Sequence, residues 1–278
     1  SRLDIKKEAK VWVIQKNTGA EEKLAQKKEE RGKETKENNI TYQMMQIAQI
    51  RKLSLWIFFI PFLSINICLL ISVNFDILEN TILSVDQIGR SNFTIPYFDG
   101  SLSISRASRT FPQYLVFKPA MIFTSIVLTL YWIKTNNLIK SFLNSDKNFI
   151  FRTLGIISAV FLTVHSILLG IEFEIEIIKL FKRIFLIGFI LAEITAQASL
   201  IFHFYKVREK ISNYYYPKVL NLKILLISLL ILIALITIPF LADENNVHLK
   251  HGLEWNYFLG IITFYLLTYF CWKKEGST

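Results

Sequence analysis

The sequence holds only two cysteines, ten glycines and six prolines in 278 residues. Cys68 and Cys271 build no disulfide framework and no CxxC metal or redox motif. Read on helices, they fall near opposite faces of a membrane, beyond the ~7 Å Cα separation that a disulfide tolerates. A phosphate-cradling P-loop, a GxGxxG dinucleotide turn, an HExxH helix and a Ser, His and Asp arrangement in recognisable context are also missing. No cofactor and no catalytic set is assigned on these grounds. Acidic residues are in deficit, 22 against 32 Lys and Arg, for a formal charge of +10.

What the chain has instead is apolar length. Hydrophobic residues make up 52% of it and the mean hydropathy is +0.38. They gather in runs close to the ~20 helical residues that cross ~30 Å of hydrocarbon. Six such runs stand out: Leu53 to Asn74, Tyr114 to Ile133, Thr153 to Ile171, Ile184 to Tyr205, Ile224 to Ala242 and Asn256 to Trp272. The expected fold class is therefore all-α: a polytopic membrane protein, an antiparallel six-helix transmembrane bundle with one long non-cytosolic loop at 75 to 113. Residues 1 to 52 form a charged cytosolic tail, 53 to 272 the membrane domain and 273 to 278 a short cytosolic tail.

The basic residues follow this topology. With the amino terminus inside, 24 of the 32 Lys and Arg lie on the cytosolic side. The positive-inside rule then places both termini in the cytosol. This distribution accounts for the charge without nucleic acid as a partner.

Residues 1 to 40 contain "EEKLAQKKEERGKETKENN", a mixed-charge run with little to form a core. It reads as a solvated tail or frayed helix, with "EAKVWVIQK" as a short patch for a membrane or a protein partner. The first spanning helix serves as the targeting signal. In the long loop, Asn92 and Thr94 make an N-x-T acceptor on the side where glycans are added.

Polar groups at membrane depth are expensive and face a cavity or a partner. His165 in the third span lies roughly 10 Å from its outer end and Glu193 in the fourth roughly 14 Å, at ~1.5 Å rise per residue. Gln197 shares a helix face with Glu193, so the three suit an interhelical network. Such a network is either polar glue, worth about 0.6 kcal/mol per bond, or the lining of a cavity for a lipid head group or a proton. His248, His251 and Glu254 are spaced three apart, but Gly252 interrupts them and no metal site is assigned.

Arg106, Arg109 and Lys118 flank Phe111, Tyr114 and Phe117 at the outer interface, where aromatic rings settle. Cations there meet lipid phosphate. The competing reading has Lys118 snorkelling and the arginines pairing with Asp99 or Asp86.

"IPYFDGSLSISRASRTFPQYLVFKP" resembles the first non-cytosolic loop of the Frag/DRAM/Sfk family of six-helix membrane proteins, through Pro96, Tyr97, Ser103, Ser105 and Pro112. "VHSILLG", with His165, and "LEWNYFLGIITFYLLTYF", with Glu254 and Trp255 opening the last helix, extend the resemblance. It implies work on lipids. Members include factors for lipid remodelling of GPI-anchored proteins in the secretory pathway, and others that influence phosphoinositide signalling or lipid asymmetry. The candidate head-group site joins Tyr97, Ser103 and Ser105 of the resembling loop to the interfacial Arg106, Arg109 and Lys118, with membrane lipids as partners and the protein acting as an accessory factor or a catalyst. Two alternatives stand beside it: an ion or solute transporter whose route passes Glu193, and a subunit anchoring a larger complex through residues 1 to 40.

Overall fold

The computed structural model describes residues 2–74, 81, 94–143, 145, 147–171, 176–241 and 246–273. Of residues 2–26, 28–30, 32–33, 35–36, 176–180 and 238–241 it describes the backbone alone. The described chain is all-helical. Its elements are α1 (Arg2–Val73), α2 (Pro96–Asp99), α3 (Ile104–Ser108), α4 (Gln113–Leu143), α5 (Ile150–Leu168), α6 (Glu176–Val207), α7 (Pro217–Leu241) and α8 (Val247–Cys271). The Asn92 acceptor and Asp86 lie outside the described residues. The chain divides into two compact units, Ser1–Met45 and Gln46–Thr278; the first is helical from Arg2 onward.

Five helical segments are long and apolar enough to cross a membrane: Glu37–Val73, Gln113–Leu143, Ile150–Leu168, Phe181–Val207 and Pro217–Thr237. They contain the second and fourth expected runs whole, whereas the first, third and fifth runs begin inside the corresponding segments and extend past their ends. The sixth run falls in α8, which is less apolar because Glu254, Asn256 and several Tyr and Trp residues interrupt it. Hydrocarbon offers no partners to backbone groups, so a helix, which satisfies them internally, is the form these runs take. Hydroxyls within the spans hide in the same way. Ser54 donates to the Ile50 carbonyl at 2.8 Å, Thr124 to Ala120 at 2.8 Å and Thr195 to Leu191 at 2.7 Å. Leu225, Leu229, Leu232 and Leu235 leave an exposed apolar stripe on α7, which suits lipid contact rather than water.

Helix α5 packs against α4 and α6, and α7 against α6 and α8. The largest fully buried side chains are Trp132 and Tyr131 of α4, Phe151 of α5, and Trp255, Tyr265 and Phe264 of α8. At one end of this body, the stretch before α7 joins the end of α8: the Tyr216 amide donates to the Cys271 carbonyl at 2.8 Å and Lys273 to Tyr214 at 2.9 Å. At the other end, α2 and α3 lie across α8, with α3 also against α4. They form a cap.

Candidate functional site

Two short helices cap the body because the sequence between them turns sharply. Pro96 opens α2 with a preset φ, and Gly100 closes it in the left-handed region, at φ 59°. A Cβ at Gly100 would lie 1.8 Å from the His248 carbonyl oxygen, so only glycine lets α2 reach the start of α8. Asp99 rigidifies the turn, accepting from the Ser101 amide at 2.9 Å, the Ile95 amide at 3.1 Å and the Thr94 hydroxyl at 2.7 Å. These donors, the Ser101 amide foremost and then Thr94, hold its carboxyl down at about 2. Ser103 caps α3, its Oγ accepting from the Arg106 amide at 3.1 Å.

The cap is fastened mainly to α8. Tyr97 packs edge-on against Trp255 with ring centroids 4.8 Å apart, and its hydroxyl donates to Asn66 Oδ1 at 3.3 Å. Trp255 Nε1 donates to the Leu102 carbonyl at 2.8 Å and Asn256 Nδ2 to the Tyr97 carbonyl at 2.8 Å. His251 Nδ1 lies 3.0 Å from the Gly100 carbonyl. Burial, and then the charge of Arg106, hold His251 below the ordinary imidazole range. From α1, Ser72 Oγ reaches the Ala107 carbonyl at 3.2 Å.

Beneath the cap lies a cavity of about 70 Å³ lined by α1, α3, α4, α5, α6 and α8. Its walls are apolar, from Ile57, Ile65, Phe117, Met121, Leu162 and Phe258 among others, and one imidazole and two carboxyl side chains reach it: His165, Glu193 and Glu254. Glu254 forms its upper edge, accepting from the Ser105 amide at 3.4 Å. It precedes the apolar stretch of α8, and burial pushes its carboxyl up to about 7 although the amides of Ser105 and Ile104 oppose this.

Glu193 lies deeper and is wholly buried. One carboxylate oxygen accepts from Ser158 Oγ of α5; the other accepts from Gln197 Nε2 at 3.0 Å and from the Tyr265 hydroxyl of α8. Gln197 Nε2 also reaches the Ile261 carbonyl at 3.3 Å. The expected pairing of Glu193 with Gln197 is thus present, and Ser158 and Tyr265 join it. His165 shares the cavity, but its bonded partner is the Lys182 carbonyl, 3.3 Å from Nδ1.

The three interfacial cations, Arg106, Arg109 and Lys118, separate. Lys118 donates to the Ile167 carbonyl in the last turn of α5 at 3.3 Å, with Nζ 5.5 Å from the Tyr114 ring centre, where a cation complements the helix dipole. Arg106 and Arg109 are exposed on the cap. Among the described residues neither has an ion-pair partner, and Asp99 is engaged elsewhere. Next to Arg109, Gly170 takes φ 79°, and a Cβ there would lie 2.7 Å from the Arg109 carbonyl oxygen. Glu254 faces the cavity while His251 faces Gly100, and no group of three metal-ligating side chains occurs among the described residues.

Lys223 escapes a reading of the sequence. It stands beside the apolar run that begins at Ile224 and counts there among the loop cations. The helix starts at Pro217, however, which leaves Lys223 two turns inside, buried, with Nζ 2.8 Å from Thr268 Oγ1. The signal available was Pro217 itself, a strong first-turn residue. Comparison with protein-family models, with curated proteins and with solved structures finds no match.

Proposed function

We propose that the protein handles membrane lipid from the non-cytosolic leaflet, with α8 as a sixth crossing of an antiparallel bundle and both termini in the cytosol. The observation that carries this reading is the cap. Arg106 and Arg109 stand exposed and unpaired among the described residues on the outer face of a small domain tied to α8. Guanidinium groups are well matched to phosphate oxygens, which they bind in bidentate fashion. Phe98, 90% exposed on the same cap, suits a lipid interface rather than bulk water. The cavity of about 70 Å³ is well below the ~300 to 1,000 Å³ of a pocket that engulfs a whole ligand. The head group is therefore met at the rim. The resemblance of this loop to the Frag/DRAM/Sfk proteins supports phospholipid or GPI-lipid as the class, in an endomembrane or the plasma membrane, with Asn92 then placed for glycosylation.

Lipid mass spectrometry on the purified full chain tests this. Arg106→Ala and Arg109→Ala are expected to lose co-purifying phospholipid at unchanged protein yield. Unchanged lipid content in both variants, or protease access showing the cap to be cytosolic, refutes the reading.

A further inference from the structure

The two sides of the cap carry opposite charge. Outside, Arg106 and Arg109 are exposed; beneath, the carboxyl of Glu254 and the imidazole of His165 line the cavity of about 70 Å³. Ser105 joins the two sides. It lines the cavity, its amide donates to Glu254 at 3.4 Å, and Arg106 follows it directly in the chain. Arg106 also lies close enough to α8 for its charge to act on His251.

Both of these cavity groups have bonding capacity that the protein does not use. His165 is 8% exposed, and its Nδ1 faces the Lys182 carbonyl at 3.3 Å. A carbonyl only accepts, so the ring proton sits on Nδ1 and Nε2 keeps its lone pair. Among the described residues nothing donates to that lone pair, although buried polar atoms are nearly always bonded. Glu254 is met by amides of the cap, and among the described residues no cation pairs with it. A carboxylate taken out of water without a counter-charge costs several kcal/mol. Glu193, in the same cavity, differs because Ser158, Gln197 and Tyr265 already donate to it. What His165 and Glu254 lack is a hydrogen-bond donor that carries positive charge.

We propose that the head group taken by the cap is an aminoethyl phosphodiester, its phosphate on Arg106 at the rim and its primary ammonium in the cavity against Glu254 and His165 Nε2. This rests on the reading of the cap as a lipid site and narrows it to one class. A primary ammonium has three hydrogens to donate, enough for the carboxylate and the imidazole together. Size agrees as well. At ~30 Å³ for a group the size of water, a cavity of about 70 Å³ takes roughly two or three such groups, and an aminoethyl end is two methylenes and a nitrogen. A choline end is bulkier by its methyl groups and has no N–H for His165. A serine end brings a carboxylate that Glu254 repels, and a glycerol or inositol end brings no charge to offset Glu254.

Native mass spectrometry on the full chain, released from nanodiscs that hold ethanolamine- and choline-headed phospholipid of the same acyl chains in equal amounts, tests it. The parent chain is expected to retain the ethanolamine lipid about tenfold over the choline lipid, the worth of one hydrogen bond to a charged group. Glu254→Gln keeps an oxygen for the Ser105 amide and loses the charge. It is expected to abolish the preference while total bound phospholipid stays, because Arg106 is untouched. Soluble phosphoethanolamine in excess separates the carriers: lipid that stays bound assigns the site to a lipid, and lipid that is displaced assigns it to the head group alone, both within the aminoethyl class. A parent chain that holds the two lipids equally, or a preference that survives in Glu254→Gln, overturns the inference and leaves the reading of the cap standing. A parent chain that holds neither lipid overturns both.

Discussion

The indole of Trp255 donates its hydrogen to the carbonyl of Leu102, 2.8 Å away and 153 residues earlier in the chain. This bond ties the cap to the start of α8, and both partners are buried. Trp255→Phe keeps most of the ring volume but leaves the Leu102 carbonyl without its donor. A stranded buried carbonyl costs about 1 to 3 kcal/mol. The expected outcome is a lower thermal midpoint in detergent and faster amide exchange across 96 to 108, with exchange in α4 and α5 unchanged.

Gly100 offers a sharper test of the same docking. Its left-handed φ costs an L residue about 1 to 2 kcal/mol, and a Cβ would also strike the His248 carbonyl. Gly100→Ala is expected to lift α2 away from α8 rather than unfold the spans. Limited proteolysis within 94 to 112 reads this directly. A cap as protected in the variant as in the parent chain would contradict the close approach.

The cap is expected to respond to pH through Glu254. Its carboxyl is raised from 4.5 to about 7 in the folded chain, so the folded state binds more protons than the unfolded one between those values. Stability then falls as pH rises through that window and is fully present only below it. A tenfold change in proton affinity corresponds to about 1.4 kcal/mol, which puts the whole effect at roughly 3 kcal/mol. Cap exchange measured across the window should quicken toward alkaline pH, and Glu254→Gln should flatten the response.

Five of the six expected runs were legible as membrane-length helices because length and apolarity are properties of a single run, and the bilayer fixes both. Contacts between runs were much less so. Glu254 meets the amide of Ser105 across 149 residues, and no local pattern announces that pairing. His165 and Glu193 stand out in the sequence as polar groups at membrane depth, and they share the cavity, yet the bonded partners of Glu193 include Ser158 and Tyr265, residues too ordinary to draw notice. Ser103 illustrates the opposite case: in the loop it looks like a ligand group, and in the fold its oxygen caps α3. Lys118, at the same interface as the arginines, differs from them because the end of α5 lies within its reach.

Glu193 separates charge from hydrogen bonding. Glu193→Gln removes the charge but keeps an oxygen that accepts from Ser158, Gln197 or Tyr265, so it is expected to fold with a change of about 1 kcal/mol or less. Glu193→Leu leaves those three donors facing an apolar side chain. Ser158 keeps the Gly155 carbonyl at 2.8 Å and Gln197 the Ile261 carbonyl at 3.3 Å, so the Tyr265 hydroxyl is the stranded group and a loss of about 1 to 3 kcal/mol is expected. Chemical unfolding of both variants in the same detergent checks the difference. Equal stability would mean that the carboxyl is not what holds α5, α6 and α8 together at this depth.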